Sequence, residues 1–314
     1  MRNKLLKILQ ENKNEFVNGN ELAKLFDVSK MAISKQVKNL RNDGYIIESK
    51  PNKGYRLLHN KDSIDIDYIS SKIDTFYSNI EFFKTIDSTN NYLKINNQLK
   101  QGHIVIADNQ SGGRGRSNRK FFSPLNSGIY LSILLKPKDS VLNLLKLTSL
   151  TAVAVNEAIK EHYPVNSQIK WVNDILIDNK KVSGILLEAS LEMNTANLEY
   201  LIIGIGINVH KQKFPDDLKE IATSIENNCD LYISRNELIV SVLNNLSEIY
   251  NDMNNSIYMD KYRNNSAIIN KKIEYTINNK TSNGIVVKID NMGHLHINDN
   301  NEIIIMNSGE IKMI

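Results

Sequence analysis

Cysteine is almost absent from this chain, with one residue, Cys229, among 314. An internal disulfide is therefore excluded, and a cysteine-based zinc site is not expected. No run of apolar residues approaches the roughly 18–20 that a membrane-spanning helix needs. The first 15 residues also lack the apolar core of a secretory signal. These absences lead us to expect a cytoplasmic protein without a membrane partner.

The charges are distributed unevenly along the chain. Residues 1–61 carry 13 Lys or Arg against 6 Asp or Glu, whereas the remainder carries 26 against 29. A basic segment in front of a mildly acidic body indicates a polyanionic partner for that segment alone. The overall composition, 41% hydrophobic and 24% charged, is that of a folded protein with two or three domains.

Three short helices are predicted near the N-terminus. Apolar residues at helical spacing mark the first at 4–9, and Asn20 is predicted to cap the second at 21–26. The third follows Ser29 as its N-cap. Its predicted buried stripe consists of Ile33, Val37 and Leu40. Two helices joined by a tight turn, with the second basic on its free face, are typical of a helix-turn-helix.

A hairpin is predicted next, with strands at 45–48 and 55–58 around a turn at 51–54. A basic-tipped hairpin after these helices predicts a winged helix-turn-helix, with a small helical interaction module as the alternative. The residues expected to face DNA are Lys30, Met31, Ser34, Lys35, Lys38 and Lys53. The lysines at 35, 38 and 53 suit phosphate, which positions the protein, and the other three suit base edges.

Strands and helices alternate irregularly from about residue 80, which favours an α+β domain over a βαβ repeat. The predicted strands span 80–85, 104–108, 128–135, 169–171, 174–177, 181–190 and 201–208. The predicted helices span 89–96, 142–163 and 236–253.

Four segments in this region carry unusual polar or glycine residues. They are Asp87-Ser88-Thr89-Asn90, the basic loop 109–120 (NQSGGRGRSNRK), Lys170–Asp174 with Lys181–Leu186, and Gly204-Ile205-Gly206-Ile207-Asn208. Glycine amides and clustered cations can hold an anion. The basic loop lacks the Lys-Ser/Thr ending of a P-loop, which disfavours a Walker NTPase. Taken alone, the basic loop has a flexible surface loop as its alternative, whereas residues 87–90 on their own indicate only a helix cap.

Together the four segments resemble the biotin–protein ligases. The order GRGR, an Arg-Lys-aromatic triplet, KWxND, KxxGIL and GxGIN is specific to that family. With the winged helix in front, the chain resembles the bifunctional bacterial form, which is both a ligase and a repressor of the biotin operon. The tail segments 283–295 and 308–311 resemble the family's small C-terminal barrel.

The resemblance implies a multidomain fold. Residues 1–62 would be the winged helix-turn-helix domain, 63–268 an α+β class II synthetase-like ligase domain, and 269–314 a small SH3-like β-barrel. Three positions depart from the family pattern. Asn118 replaces a usual glycine, Phe121 a tryptophan and Val172 a proline. Asn tolerates positive φ better than most residues, so we expect Asn118 to preserve the shape of the basic loop.

The implied reaction has two steps and uses biotin, ATP and Mg²⁺. The biotin carboxylate attacks the α-phosphate of ATP to give biotinyl-5′-AMP and pyrophosphate, and a lysine of a biotin carboxyl carrier protein then takes the biotinyl group. Cations are needed where two anions meet. The implied catalytic residues are Lys181, Arg116 and Asp174.

The resemblance also assigns binding residues. Biotin would contact Ser88, Thr89, Asn90, Gln110, Gly113, Arg114, Gly115, Arg116, Lys181, Gly184, Gly204 and Gly206. ATP would contact Arg116, Arg119, Asn173, Lys181 and Asn208. No metal is expected to be bound by the protein alone.

The implied regulation joins the two activities. Biotinyl-5′-AMP would favour a homodimer that places two winged helices on operator DNA. The alternatives are a non-catalytic biotin-sensing repressor and a ligase for lipoate or another acyl-carrier substrate.

Overall fold

The computed structural model describes residues 1–12, 14–42, 45–59, 62–136, 144–191, 198–229, 231, 234–277 and 280–314. They form two compact units, Met1–Ile64 and Asp65–Ile314. Within the described part of the chain, no helix is both long and apolar enough to cross a bilayer.

The N-terminal unit contains three helices followed by a hairpin. The helices are α1 (Arg2–Glu11), α2 (Gly19–Leu25) and α3 (Lys30–Asn42), and the antiparallel strands are β1 (Ile46–Lys50) and β2 (Gly54–His59). The predicted stripe of α3 is buried in the core of this unit, together with Leu5, Leu9, Leu22 and Leu57. The wing turns at Gly54, whose φ of +104° and close approach to the backbone of residue 17 leave no room for a side chain.

The helix caps were predicted with one error. Ser29 does cap α3, since its Oγ accepts the backbone N–H of Ala32 at 3.2 Å. The cap of α2, however, is Asn18, whose Oδ1 accepts the N–H of Asn20 at 2.8 Å. The prediction of Asn20 was wrong because the helix begins at Gly19, which was predicted to belong to a turn. Asn20 is therefore inside the first turn of the helix, and its N–H is one of the donors that the cap residue must satisfy.

The larger unit is built on a seven-stranded mixed sheet. Its strands are β3 (Asn79–Phe83), β4 (His103–Ala107), β5 (Gly128–Leu135), β6 (Ser167–Lys170), β7 (Asp174–Ile177), β8 (Lys180–Leu191) and β9 (Leu198–Asn208). They lie in the order β3-β4-β5-β9-β8-β7-β6, and all neighbours are antiparallel except β3 and β4. Every residue of β4 and β5 is buried, which shows that the middle of the sheet is covered on both faces.

Five helices accompany this sheet. They are α4 (Ile66–Ser70), α5 (Thr89–Ile95), α6 (Leu144–His162), α7 (Arg235–Asn251) and α8 (Ser256–Asn264). Leu93 of α5 packs with Val105, Leu134 and Ile202 of the sheet, and α6 packs against α7 and α8. The predicted bounds of strands β3 to β9 and of helices α5, α6 and α7 agree with the observed bounds within about three residues. No prediction was made for α8. The predicted start of the α6 helix, at 142–143, lies outside the described residues.

A second sheet occupies the C-terminal part of the larger unit. Its antiparallel strands are β10 (Lys272–Ile277), β11 (Lys280–Ile289), β12 (Leu295–Asp299), β13 (Glu302–Met306) and β14 (Glu310–Met313), in the order β13-β12-β11-β10-β14. The turn between β11 and β12 contacts the segment between β6 and β7 of the main sheet, because the Gly293 carbonyl accepts a hydrogen bond from the Trp171 indole N–H at 2.8 Å. The second sheet is thereby fixed beside the segment that leads into β7.

A buried ion pair joins α7 to the main sheet. Arg235, the first residue of α7, is fully buried, and its Nη1 lies 2.6 Å from Asp108 Oδ1 just after β4. The same nitrogen donates to the Gly128 carbonyl at 3.1 Å. A buried guanidinium is tolerated because it is paired and hydrogen-bonded, so either partner is costly to lose alone.

Replacing Asp108 with alanine should lower the free energy of unfolding by about 3–5 kcal/mol, because it removes a carboxylate that is paired with the buried Arg235 guanidinium. Urea denaturation followed by circular dichroism measures the change. The matched control is Asp216→Ala, which removes an exposed carboxylate paired with Lys219 and should cost less than about 1 kcal/mol. Equal effects of the two substitutions would show that the buried pair does not stabilise the fold as described.

Candidate active site

Two adjoining cavities are lined by the basic loop and by strands β8 and β9 of the main sheet. The larger encloses about 410 Å³ and the smaller about 30 Å³. Four residues line both: Arg114, Phe121, Gly184 and Leu186. The two cavities are therefore neighbouring compartments of one site, with the start of the basic loop and β8 between them.

The larger cavity brings together nine of the predicted site residues. These are Arg114, Gly115, Arg116, Arg119, Asn173, Asp174, Lys181, Gly184 and Asn208. Apolar side chains line the same cavity, among them Phe122, Leu176, Phe214, Leu218 and Ile221. A cavity lined by both cations and apolar side chains suits a ligand that combines a flat ring with anionic groups.

The smaller cavity gathers the other predicted group. Its walls include Ser88, Thr89, Asn90, Gln110, Arg114, Gly184, Gly204 and Gly206. Gly113 lines neither cavity. Gly113 is a buried residue of the basic loop, and a Cβ there would lie 2.4 Å from the Phe121 carbonyl oxygen. The structure thus places Gly113 where the loop folds back on itself, and the remaining glycines at the cavity walls.

Lys181 and Asp174 face each other across the β7–β8 hairpin. Lys181 Nζ lies 2.6 Å from Asp174 Oδ1, and both side chains are partly exposed. The backbone of Lys181 is held on both sides by the 221–223 segment, since its N–H donates to the Ile221 carbonyl and its own carbonyl accepts from Thr223. A Cβ at Gly184 would lie 2.8 Å from Lys181 Nζ, so a larger residue there would displace the lysine ammonium from its present position.

Arginines of the basic loop connect this pair to its surroundings. Arg116 Nη1 donates to Asn173 Oδ1 at 3.0 Å, and the Asn173 amide donates to the Ile185 carbonyl at 2.8 Å. Arg119 forms an ion pair of 2.5 Å with Glu310, which belongs to β14 of the second sheet. The loop is therefore attached both to the 171–174 segment and to the C-terminal strand.

Lys170 is a further cation in the wall of the larger cavity. Burial lowers the pKa of Lys170; the Asp174 carboxylate opposes this effect, and the positive charge of Lys181 adds to it. Burial, aided by the neighbouring cations, thus makes Lys170 give up its proton more readily than a lysine in water.

A serine of the basic loop adopts the left-handed backbone conformation. Ser117 has a φ of +53°, in the short 3₁₀ turn Arg116–Asn118. Ser117 thus supplies a positive φ within the loop, and the expectation that Asn118 preserves the shape of the loop stays a prediction. The Gly115 N–H donates to the Arg119 carbonyl at 2.7 Å, which brings the two ends of this turn together.

A hydrogen-bonded network forms the inner wall of the smaller cavity. Gln110 Oε1 accepts from the Thr89 backbone N–H at 2.9 Å and from its hydroxyl at 3.1 Å. Ser132 Oγ lies 2.6 Å from Thr89 Oγ1 and 2.5 Å from Asn90 Oδ1. Ser88 caps α5, so residues 88–90 serve both as a helix start and as a polar wall. The two interpretations of this segment are therefore compatible.

Two glycines of β9 admit side chains from other elements. A Cβ at Gly204 would lie 2.3 Å from Asn90 Oδ1, and one at Gly206 would lie 2.5 Å from the Phe121 ring. The alternate glycines were predicted to allow the close approach of a ligand or another backbone. In this structure they accommodate Asn90 and Phe121, which shape the cavities.

Asn208 ends β9 at the larger cavity. Its Nδ2 donates to the Thr223 carbonyl at 3.1 Å, whereas its buried Oδ1 has no hydrogen-bond partner among the described residues. A buried oxygen without a partner indicates a ligand group or a cation as its complement.

Sequence reasoning missed several residues of the site. Lys170 lay inside a motif that was recognised, but no role was given to it. The apolar wall formed by Phe214, Leu218 and Ile221 has no motif, and Glu310 was quoted only as part of the C-terminal sheet. These residues are close to the site because segments distant in sequence pack together. In the sequence, the only signal was the set of apolar residues interspersed among the charged residues of 211–222.

Comparison with known proteins agrees with this geometry. The model of the Biotin/lipoate A/B protein ligase family matches residues 82–208, and a model described as an HTH domain matches residues 1–56. The Bifunctional ligase/repressor BirA of Bacillus subtilis is 34% identical over 258 residues, which are 80% of this chain and 79% of that protein. The protein of the same name from Escherichia coli is 27% identical over 303 residues, 95% of this chain and 93% of that protein.

Solved structures give the same result. The biotin protein ligase from Aquifex aeolicus, in complex with biotin and ATP, is 30% identical and superposes with a TM-score of 0.67. The matched region covers 76% of this chain and 99% of that chain. With a helix-turn-helix before a ligase domain of this fold, and with this identity over most of both chains, the protein belongs to the family of bifunctional biotin ligases and repressors.

Proposed function

We propose that the larger cavity binds ATP and the smaller cavity binds the ring system of biotin. The observation that carries this proposal is the set of cations in the wall of the larger cavity, Lys181, Arg114 and Arg116, of which Arg114 also lines the smaller cavity. A carboxylate reaching from the smaller cavity and a phosphate in the larger one would meet beside Lys181. The apolar side formed by Phe122, Phe214 and Ile221 offers a surface for adenine.

Binding of biotin requires the smaller cavity to widen. Its volume of about 30 Å³ leaves room for one or two water molecules. Phe121, which covers Gly206, belongs to the polypeptide that follows the basic loop. We therefore propose that the loop moves outward to admit biotin and then closes over biotinyl-5′-AMP, which protects the mixed anhydride from water.

The first step is the attack of the biotin carboxylate on the α-phosphate, with pyrophosphate as the leaving group. Lys181 stabilises the charge that accumulates between the two anions, and its ion pair with Asp174 holds the ammonium at the cavity wall. Arg116 and Arg119 hold phosphate oxygens, and their contacts with Asn173 and Glu310 orient them.

Mg²⁺ is expected to enter with ATP, because it binds substrate phosphates together with one or two protein oxygens. The Asp174 carboxylate and the unpartnered Asn208 Oδ1 are oxygens of the required kind at the wall of the larger cavity. When bound there, the ion would offset phosphate charge.

In the second step, the amine of a carrier-protein lysine attacks the acyl-adenylate, an amide forms and AMP leaves. Asn173 and Asp174 lie at the same wall and are the candidates for contacting the incoming amine. Because the reaction consumes ATP and modifies a carrier protein, we propose the cytoplasm as its compartment.

The N-terminal unit is proposed to bind operator DNA through α3 and the wing. Lys30, Ser34, Lys35, Lys38 and Lys53 are all exposed, and Met31 is 81% exposed. An exposed apolar side chain on a basic helix face suits contact with a base in the major groove. Two such units on a two-fold-related operator would require the homodimer that we expect with bound biotinyl-5′-AMP.

The domain boundaries at 62 and 268 and the two finer fold assignments remain predictions. Five antiparallel strands over 272–313 support the SH3-like barrel, because that fold is a small antiparallel barrel of this size. The class II synthetase-like assignment is supported by the mixed sheet with helices on its faces.

Lys181→Ala should slow the formation of biotinyl-5′-AMP by about 10²–10³-fold, because it removes the cation beside the reacting charges. Pyrophosphate release with biotin and ATP measures this step. The matched control is the adjacent Lys180→Ala, whose ammonium faces Glu220 instead of the cavity and should change the rate less than about twofold. A near-normal rate for Lys181→Ala would remove this residue from its role. Parallel assays with lipoate would identify a ligase of the other substrate class.

Lys35→Ala should weaken DNA binding equally for all sequences and should reduce the slope of log affinity against log salt by about 1. Fluorescence anisotropy with a labelled duplex between low and moderate salt measures both quantities. Lys4→Ala, on the exposed face of α1, serves as the control and should leave the slope unchanged. An unchanged slope for Lys35→Ala would exclude a phosphate contact at this residue.

Biotin plus ATP should raise both the dimer fraction and the affinity for operator DNA. The reason is that a ligand which binds the dimer more tightly than the monomer increases the population of the dimer, the state proposed to bind the operator. Analytical ultracentrifugation and anisotropy with and without the two substrates measure the two effects. Identical operator affinities under both conditions would contradict the coupling while leaving the ligase function intact.

A further inference from the structure

Glu188 is a largely buried carboxylate near the smaller cavity, two residues along β8 from Leu186. Its side chain is 16% exposed. Three donors from two other elements converge on it: Asn90 Nδ2 at 2.9 Å, Lys94 Nζ at 3.2 Å and Arg114 Nη1 at 3.6 Å. Burial opposes its charged form, but the hydrogen bonds from Asn90 and Lys94 and the charges of Lys94 and Arg114 outweigh burial, so the pKa of Glu188 is lowered.

The contact with Asn90 decides how that amide is oriented. An ionised carboxylate only accepts hydrogen bonds, so the Asn90 NH₂ group must face Glu188. The amide oxygen then faces Ser132 Oγ at 2.5 Å and fills the space above Gly204. Since Ser132 is a hydroxyl, which can donate or accept, it does not by itself select either orientation. Glu188 therefore sets the donor and acceptor pattern of this wall.

The contact with Arg114 attaches the basic loop to the same wall. Arg114 Nη1 donates to Asn91 Oδ1 at 2.9 Å and lies beside Glu188, and the side chain lines both cavities. Asn90 and Asn91 both belong to α5, so Glu188 ties α5, β8 and the start of the loop together. A carboxylate at this point neutralises Arg114 and holds it at the junction of the two cavities.

We infer that Glu188 is a positioning residue for the biotin site, which orients the Asn90 amide and anchors Arg114 so that the smaller cavity recognises the polar ring of biotin. This inference rests on the proposed function. Glu188 acts through Asn90 and Arg114, and it lines neither cavity itself.

The test is Glu188→Gln in the full chain, because glutamine preserves the shape but carries an NH₂ group that faces Asn90, Lys94 or Arg114. The Asn90 amide then loses its fixed orientation and Arg114 loses its counter-charge. The dissociation constant for biotin alone, measured by calorimetry, should rise about 10- to 100-fold, the range for hydrogen bonds to a charged group. The KM for biotin should rise in parallel, while kcat at saturating biotin and the KM for ATP change less than about threefold.

The matched control is Glu199→Gln on the neighbouring strand β9, where an exposed carboxylate accepts a hydrogen bond from Ser190. It should match the wild type in every measurement. Equal biotin affinity of Glu188→Gln and the wild type would overturn the inference. A parallel loss of biotin affinity, ATP affinity and the unfolding midpoint would also overturn it, because that outcome is expected of a merely structural residue.

A measurement without ligand separates this inference from the proposed function. Freed from Glu188, the basic loop should be cleaved by trypsin after Arg114 and Arg116 several-fold faster than in the wild type and in Glu199→Gln. If wild-type protein does not bind biotin, the proposed function fails, and the cleavage rates still decide whether Glu188 anchors the loop. If Glu188→Gln does not fold, Arg114→Gln replaces it, and unchanged biotin affinity and cleavage after Arg116 in that variant would contradict the inference.

Discussion

In the proposed reaction a carboxylate and a phosphate, both negatively charged, meet beside Lys181, and the rest of the proposed site depends on offsetting the repulsion between them. Cations from three separate segments line the larger cavity and can offset this repulsion. They are Arg116 and Arg119 of the basic loop, Lys170 at the end of β6 and Lys181 at the start of β8. Cations this close also repel one another, and the charges of Lys181 and Arg119 add to the lowering of the Lys170 pKa that burial causes. Asp174 and Glu310 offset that repulsion, so the wall remains positive without being unstable.

The remainder of the larger unit holds these charges in place. The β7–β8 hairpin brings the side chains of Asp174 and Lys181 together, the 221–223 segment fixes the Lys181 backbone, and the end of the lysine side chain lies over Gly184. The Asp108–Arg235 pair locks α7 onto the sheet behind the site. On the opposite side, Gly293 holds Trp171 and Glu310 holds Arg119, so the second sheet participates in shaping the larger cavity. Precise catalysis depends on such supports, because small displacements of charged groups are costly.

Much of the fold was predictable because it depends on local patterns. The stripe of Ile33, Val37 and Leu40 identified the core face of α3, and Ser29 identified its start. Where local signals competed, the prediction was wrong by two residues: Asn18 caps α2 instead of Asn20. Both asparagines could satisfy the same local requirement, and the position at which the helix begins selected between them. Helix α8 carries no strong periodic signal, and its position depends on packing against α6.

The sequence by itself determined which chemical groups are present and in which segments, since the glycine, arginine, lysine and asparagine motifs are continuous stretches of chain. It also determined that an exposed basic helix precedes the ligase domain. Only the tertiary structure decided that Glu188 faces Asn90 and Arg114, that Arg119 pairs with Glu310, and that apolar residues of 214–222 line the same cavity as the cations. The physical reason is that these contacts join residues far apart in sequence, whose meeting depends on how whole strands and loops pack and not on any local preference.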